Sequence, residues 1–237
     1  MELTIQSWKD EYALGKVILM DKPLRWTSFD VVKKIRILTG ISKVGHAGTL
    51  DPLATGLLIV CTGKFTKKIN EYMAREKEYT GTITIGAVTP TFDLESAPEQ
   101  EKDFGYVTEQ MIVEAAGKFT GIIQQVPPAH SAIKKEGIPA YKLARKGEDV
   151  VMKPRQVTIS HFGITKVELP VIHFKVVCST GTYIRSLAND MGAELGCGGY
   201  LSSLCRTRIG EFLLSDAKTV EGFEMEIKAL KENAGNG

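Results

Sequence analysis

A single aspartate in a short loop of small residues constrains this chain more than any other feature. Asp51 lies in residues 45–54, which read Gly-His-Ala-Gly-Thr-Leu-Asp-Pro-Leu-Ala, and an apolar run at 57–61 follows at once. The two glycines allow backbone turns that other residues resist, and a residue before proline favours an extended or turn conformation. Catalytic groups are often displayed on loops that a rigid scaffold positions. Asp51 is therefore the first candidate for a catalytic residue.

The composition is that of an ordinary globular protein. The chain has 237 residues, of which 43% are hydrophobic and 24% are charged. This length suits one large domain or two small ones, and we expect one domain spanning residues 1–237. The longest apolar run has five residues, whereas a membrane-spanning helix needs roughly 20. Residues 1–16 have no signal-peptide core, so we expect a cytoplasmic protein.

The cysteines and histidines do not form a recognisable metal-binding or disulfide pattern. No Cys-x-x-Cys spacing occurs, and no pair of histidines is suitably placed. We therefore expect no metal, and we expect the cysteines to be small buried hydrophobic residues that stay reduced. The four cysteines are Cys61, Cys178, Cys197 and Cys205.

Charge is segregated along the chain although the net charge is only +2. Basic residues cluster near 64–68, 134–135, 142–146, 153–155 and 206–208, while acidic residues concentrate at 93–103 and in the C-terminal tail. Such segregation can create a basic face for phosphates, although each cluster alone is more typical of a solvated surface.

The hydrophobic periodicity predicts an α+β protein. Ser28 is predicted to cap a helix with an apolar stripe between Val31 and Leu38, which ends at Gly40. Residues 79–86 alternate with period two, and β-rich runs at 156–168 and 171–178 follow each other without a helix between them. Strands without intervening helices indicate a mixed, largely antiparallel sheet.

Several common site types are excluded by spacing. Gly56 and Gly63 are separated by six residues, whereas a P-loop needs four, and neither a Gly-x-Ser-x-Gly nor a Gly-x-Gly-x-x-Gly motif occurs. A glycosidase would need a second carboxylate as the acid, and none stands out near Asp51. A lone carboxylate with a nearby histidine, His46, suits attack at a sugar carbon whose leaving group is a nucleobase.

Ordered motifs along most of the chain resemble the TruB-type tRNA pseudouridine synthases. The segments are Asp-Lys-Pro at 21–23 with Thr-Ser-Phe-Asp at 27–30, the Asp51 loop extended to residue 58, Lys-Glu-Tyr at 77–79, Val-Pro-Pro at 126–128 with Ser-Ala at 131–132, Tyr141 with Ala-Arg at 144–145, Cys-Ser-Thr-Gly-Thr-Tyr-Ile-Arg-Ser-Leu at 178–187, and Tyr-Leu at 200–201 with Arg-Thr-Arg-Ile-Gly at 206–210. Chance does not produce so many motifs in this order.

The resemblance implies a pseudouridine synthase fold and a cofactor-free, metal-free isomerisation. Asp51 would attack, or otherwise assist at, the ribose of a target uridine, and the freed uracil would turn and rejoin through C5. Arg185 would pair with Asp51 and keep it ionised. Tyr79 would stack on the uracil and could act as a base, although a tyrosine in a strand often serves packing alone.

The resemblance also implies substrate contacts. His46 would fill the gap left by the extruded base, and Tyr183 and Leu201 would line the pocket. The other residues implied in RNA binding are Lys22, Tyr141 and Arg145. Plain structural roles stay open at this point: a loop hydrogen bond for His46, a turn for Lys22 and the core for Leu201.

The expected substrate is the T-arm of tRNA, with the T-loop uridine at position 55 as the target. Only about two dozen residues follow Phe212, so we expect a short form without a C-terminal PUA domain. We also expect a monomer without an obligatory protein partner. Two alternatives remain at this stage: a catalytically silent tRNA-binding or chaperone protein, and the same chemistry on another RNA.

Overall fold

The computed structural model describes residues 7–131, 133–135, 137–140, 143, 146 and 150–235. The chain forms two compact units. The first comprises Met1–Lys77 and Cys205–Gly237, and the second comprises Glu78–Leu204. Within the described residues, no helix combines the length and the apolar character that crossing a membrane requires.

The described elements follow one another in this order. They are α1 (Trp8–Leu14), β1 (Val17–Lys22), α2 (Ser28–Thr39), β2 (Val44–Ala47), β3 (Ala54–Thr62), a 3₁₀ turn (Gly63–Lys68), α3 (Ile69–Ala74), β4 (Lys77–Ile85), α4 (Glu109–Lys118) and β5 (Gly121–Gln125). After these come β6 (Lys134–Lys135), β7 (Ile138–Pro139), β8 (Arg155–Glu168), β9 (Val171–Cys178), α5 (Ile184–Glu194), β10 (Gly199–Ile209), β11 (Phe212–Leu213), a 3₁₀ turn (Leu214–Asp216) and α6 (Val220–Gly235).

Strand β3 is the centre of the first unit because both of its faces are covered. Leu58 and Val60 pack into a cluster that includes residues of α1, α2 and α6. Leu57 and Ile59, on the opposite face, pack into a second cluster. Strand β1 pairs antiparallel with β3 from Val17–Cys61 to Lys22–Gly56, and β2 also pairs antiparallel with it. A strand buried on both faces reads as a continuous apolar run, which explains residues 57–61.

The second unit is built on antiparallel strands with helices α4 and α5. The strand order is the first part of β10, then β4, β9, β8 and β5. Strands β8 and β9 form a long antiparallel hairpin, and β5 pairs antiparallel with β8. Gly81 in β4 is required by close packing, because a Cβ there would lie 2.3 Å from the carbonyl oxygen of Ser203.

The structure confirms the predicted α+β class with its largely antiparallel strands, and it corrects several elements. The side chain of Thr27, not Ser28, caps α2, and Asp30 completes a capping box. Helices α1 and α6, strands β2 and β5 and most of β10 were not predicted from the sequence. The basic helix predicted at 140–146 falls largely outside the described residues.

Candidate active site

The backbone of the Asp51 loop is fixed first by a serine of α2. The Oγ atom of Ser28 accepts a hydrogen bond from the backbone N–H of Leu50 at 2.9 Å and lies 3.2 Å from the carbonyl oxygen of the same residue. Because Thr27 performs the capping, the hydroxyl of Ser28 is available for this contact. The residue before Asp51 is thereby tied to the start of a packed helix.

Lys22 lies beneath the same loop and is fully buried. Its Nζ atom donates to the carbonyl oxygens of Trp26 at 2.5 Å, Pro23 at 3.1 Å and Pro52 at 3.5 Å. Burial lowers the pKa of Lys22 to about 8, and the positive charge of Arg206 acts in the same direction, while the charge of Asp51 raises this pKa. Lys22 therefore remains mostly protonated at neutral pH, and its hydrogen bonds to backbone carbonyl oxygens stabilise the loop from its buried side.

Arg206, at the end of β10, holds two further carbonyl groups of this region. Its Nε atom donates to Leu57 at 2.7 Å and its Nη2 atom donates to Gly48 at 3.2 Å, and the side chain is only 1% exposed. Gly48 has φ +92°, a conformation that glycine adopts without steric cost. One guanidinium group thus binds the backbone of a residue on each side of Asp51.

His46 lies on β2, just before the loop, and is half-buried. Burial lowers the pKa of His46, and the nearby charge of Arg206 also lowers it, against a raising contribution from a backbone hydrogen bond at Gly48. The imidazole is therefore neutral at pH 7. A neutral ring can replace a nucleobase in a stack without adding a charge.

Arg185, in the first turn of α5, organises the second unit. Its Nη1 and Nη2 atoms donate to the carbonyl oxygens of Thr91 and His130, each at 3.1 Å, and its Nε atom lies 3.5 Å from the Oδ2 atom of Asp93. The side chains of Arg185 and Asp93 are each 5% exposed. A buried guanidinium group in such a network of contacts has a fixed orientation.

Asp93→Asn should loosen Arg185 and lower kcat by about 10- to 100-fold, because small misplacements of catalytic groups are costly. Loss of one partner of a buried ion pair should also lower the free energy of unfolding by about 3–5 kcal/mol. Single-turnover rates and denaturant melts measure the two effects. Asp103→Asn is the matched control, because both carboxylates accept a backbone hydrogen bond from the residue two positions later and Asp103 is exposed. An Asp93→Asn protein with unchanged kcat would contradict the positioning role.

Tyr183 is held at both its backbone and its ring. The buried amide of Gln125 accepts from the N–H of Tyr183 at 2.8 Å and donates to its carbonyl oxygen at 3.0 Å. The guanidinium of Arg155 lies 4.7 Å from the centre of the tyrosine ring, a cation–π contact. One face of the ring is therefore covered, and the ring is available to a ligand only from its other side.

Tyr79 and Leu201 are both largely buried in the second unit. Tyr79 is 9% exposed and lies on the same face of β4 as Ile83 and Ile85, as the alternation predicts. Leu201 is 5% exposed, and its N–H donates to the carbonyl oxygen of Phe92 at 2.9 Å. The segment that Arg185 fixes is thus also joined to Leu201.

The predicted site residues are distributed over both units. Lys22, His46 and Asp51 belong to the first unit, and Tyr79, Tyr183, Arg185 and Leu201 belong to the second. Tyr141 and Arg145 lie outside the described residues. The pairing of Arg185 with Asp51 stays a prediction.

Sequence reasoning missed the residues that hold these groups in place. They are Ser28, Asp93, Gln125, Arg155 and Arg206. Asp93 stands in a segment that reads as an acidic loop, and its burial has no local signal. Ser28 and Arg206 fall within matching motifs, so the resemblance marked their positions without revealing what they bind.

Comparison with known proteins places the chain in a class and then in a family. A profile described as TruB family pseudouridylate synthase (N terminal domain) matches residues 36–184, and one described as tRNA pseudouridylate synthase B C-terminal domain matches residues 185–236. With the architecture above, these matches define a pseudouridine synthase fold. The chain belongs to the TruB family of pseudouridylate synthases.

Bacterial relatives match over nearly their whole length. A tRNA pseudouridine synthase B of Flavobacterium johnsoniae is 49% identical, covering 92% of this chain and 99% of that protein. One of Chloroherpeton thalassium is 46% identical, covering 94% of this chain and 95% of that protein.

Two solved structures are similar over most of this chain. An H/ACA ribonucleoprotein bound to a substrate RNA containing 2′-deoxyuridine has a TM-score of 0.73 and 26% identity, and the match covers 95% of this chain and 57% of that one. An archaeal box H/ACA ribonucleoprotein complex has a TM-score of 0.71 and 26% identity, covering 94% and 57%. This chain thus spans somewhat more than half the length of these two structural relatives.

Proposed function

We propose that this chain is a tRNA pseudouridine synthase that isomerises the T-loop uridine at position 55 to pseudouridine. The names of the bacterial relatives support tRNA as the substrate. The observation that carries the chemical assignment is the Asp51 loop, whose flanking backbone is held by the buried side chains of Ser28, Lys22 and Arg206. So much buried polar support is typical of a group that must stay in one reactive position.

The reaction rearranges bonds within one nucleotide. Asp51 acts at C1′ of the ribose as the C1′–N1 bond breaks, and the freed uracil turns so that C5 bonds to C1′. The proton on C5 is then lost and N1 gains a proton, so the product has the same atoms as the substrate. We propose that Arg185 and Tyr79 complete the catalytic set, Arg185 by keeping Asp51 ionised and Tyr79 by stacking on the uracil and assisting proton removal.

The target base must leave its stack before the glycosidic bond can be reached, which costs a few kcal/mol. A neutral His46 is suited to fill the vacated position. Aromatic stacking at Tyr183 and an apolar contact at Leu201 would stabilise the flipped base, with roughly 1–3 kcal/mol expected for a stacked base. Because Lys22 is fully buried, we assign it to holding the loop instead of contacting RNA. Tyr141 and Arg145 are proposed to hold the RNA backbone.

We further propose that the protein acts as a monomer in the cytoplasm and needs no metal, cofactor or partner protein. The balanced isomerisation supports the cofactor-free part of this proposal, since it requires neither an oxidant nor a group donor.

Mapping of pseudouridine by chemical labelling tests the proposed function. The purified chain is incubated with an unmodified tRNA transcript in the presence of a chelator, and modification is read at every uridine. We expect a single modified position, at 55. Modification elsewhere would overturn the T-loop assignment, and tight binding without modification would identify a silent RNA-binding protein.

A further inference from the structure

A tight turn between β1 and α2 contains an arginine at a position that favours glycine. The N–H of Trp26 donates to the carbonyl oxygen of Pro23 at 3.4 Å, and Arg25, the third residue of this turn, has φ +66°. A positive φ at the third position alone is the pattern of a type II turn, in which glycine is preferred there. Arginine adopts this conformation only against steric strain, because its Cβ atom crowds the backbone.

The backbone of this turn is bound to the Asp51 loop. The N–H of Arg25 donates to the carbonyl oxygen of Pro52 at 2.7 Å. The Nζ atom of Lys22 donates to carbonyl oxygens of the turn and also to that of Pro52, so it joins the same two segments from their buried side. The side chain of Arg25 therefore starts one hydrogen bond away from the residue that follows Asp51.

The guanidinium group of Arg25 has no partner among the residues that the structure describes. The side chain is exposed, and neither a hydrogen bond, nor an ion pair, nor an aromatic contact links it to those residues. Every other described arginine has such a partner. These pairs are Arg36 with the carbonyl of Val44, Arg75 with Glu211, Arg155 with the ring of Tyr183, Arg185 with the carbonyl of Thr91, Arg206 with that of Leu57, and Arg208 with Glu76.

An external anion is the ligand that suits this arginine. Strained residues that their surroundings hold in place concentrate at functional sites, and no internal contact of the guanidinium group explains the strain at Arg25. A guanidinium group binds phosphate oxygens through paired hydrogen bonds. In an RNA strand each ribose is linked to phosphates through its 3′ and 5′ oxygens, so a ribose that reaches Asp51 brings two phosphates with it.

We propose that Arg25 binds a phosphate group of the RNA strand next to the target uridine, and that the strained turn places its guanidinium group beside the Asp51 loop for this purpose. The contact holds the backbone of the target nucleotide and takes no part in bond breaking. This inference rests on the proposed function, because it takes the substrate RNA as the ligand.

Arg25→Gly should make the protein more stable and its RNA binding weaker. Glycine relieves the positive φ, so the melting temperature should rise by about 2–4 °C. Affinity for a T-arm hairpin should fall about fivefold, as loss of one exposed ion pair implies, and the slope of log K against log salt should become shallower by about 0.7–0.9. Arg25→Lys keeps the charge and should keep the wild-type slope. Normal affinity and slope in Arg25→Gly would overturn the proposal, and a lower melting temperature would contradict the strain.

Neutral phosphate substitutions locate the contact. Hairpins that each contain a single uncharged methylphosphonate linkage are titrated with wild type and with Arg25→Gly. At one linkage next to the target uridine, wild type should lose about fivefold in affinity and Arg25→Gly should lose little more. Equal losses for the two proteins at every linkage would overturn the proposal. Lys231→Ala, which removes an exposed positive charge of α6, should bind normally. Absence of pseudouridine with wild type on the intact hairpin would instead refute the proposed function.

Discussion

Asp51→Asn is expected to abolish pseudouridine formation, with kcat reduced by at least about a thousandfold, as for other residues that act directly on the reacting atoms. The amide has nearly the shape of the carboxylate but lacks the negative charge that must act at C1′. The loop itself should persist, because its hydrogen bonds to Ser28, Lys22 and Arg206 use backbone atoms of other residues. RNA affinity should change by less than about twofold. Single-turnover assays with saturating enzyme and a filter-binding titration measure the two quantities.

The same variant should also lower the pKa of Lys22 further, because the charge of Asp51 raises it in the wild type. Asp21→Asn is the matched control, since Asp21 is another carboxylate that raises the pKa of Lys22 and has no part in the proposed chemistry. Turnover should survive in the control. If the Asp51→Asn enzyme retained a tenth of wild-type kcat, the carboxylate of Asp51 would not be the group that acts at C1′.

Lys22→Met should reduce kcat by about 100-fold, the effect expected when a catalytic group is displaced by about 1 Å. Methionine fills the buried space but cannot donate to the carbonyl oxygens of Trp26 and Pro52, so the residue after Asp51 loses its anchor. KM should change little, because the ammonium group does not reach the surface. Lys34→Met, which removes a half-buried lysine paired with Glu224, should leave kcat unchanged. A Lys22→Met enzyme with normal kcat would show that the loop holds Asp51 without the ammonium group.

The pH dependence of stability separates this role from ordinary packing. The pKa of Lys22 is about 8 in the folded protein, against 10.5 for an ordinary lysine, so the unfolded chain binds more protons between these pH values. The free energy of unfolding should therefore rise with pH across this window, by up to roughly 1.4 kcal/mol per pH unit relative to Lys22→Met. Urea melts of both proteins at pH 7.5–10.5 measure the difference. A constant difference over that range would contradict a depressed pKa for Lys22.

The Asp51 loop was predictable from sequence because its signal is local. Glycines, an Asp-Pro step and an apolar run all fall within the seventeen residues 45–61, and the run is explained by a strand buried on both faces. The strands at 171–178 and 156–168 were predictable for the same reason, since the β-rich composition that marks each of them lies within its own segment.

The residues that support the site were not predictable in this way because their partners are distant in sequence. Arg206 binds the carbonyl oxygen of Leu57, 149 positions away, and Arg185 binds that of Thr91, 94 positions away. Hydrophobic periodicity within a segment cannot predict a hydrogen bond between residues so far apart in sequence. Ser28 shows the limit even for local rules: it fits a helix cap by residue type, but Thr27 takes that position, and Ser28 turns to Leu50.

Release of the C5 hydrogen tests the central claim most directly. A tRNA transcript carrying tritium at C5 of every uridine is incubated with the wild-type chain, and released tritium is counted against the amount of tRNA. Replacing the hydrogen at C5 by a carbon–carbon bond to C1′ must release one tritium per modified uridine. We predict one equivalent per tRNA from the normal transcript and none from a transcript with cytidine at position 55. No release from the normal transcript, or equal release from both, would contradict the proposed reaction at this uridine.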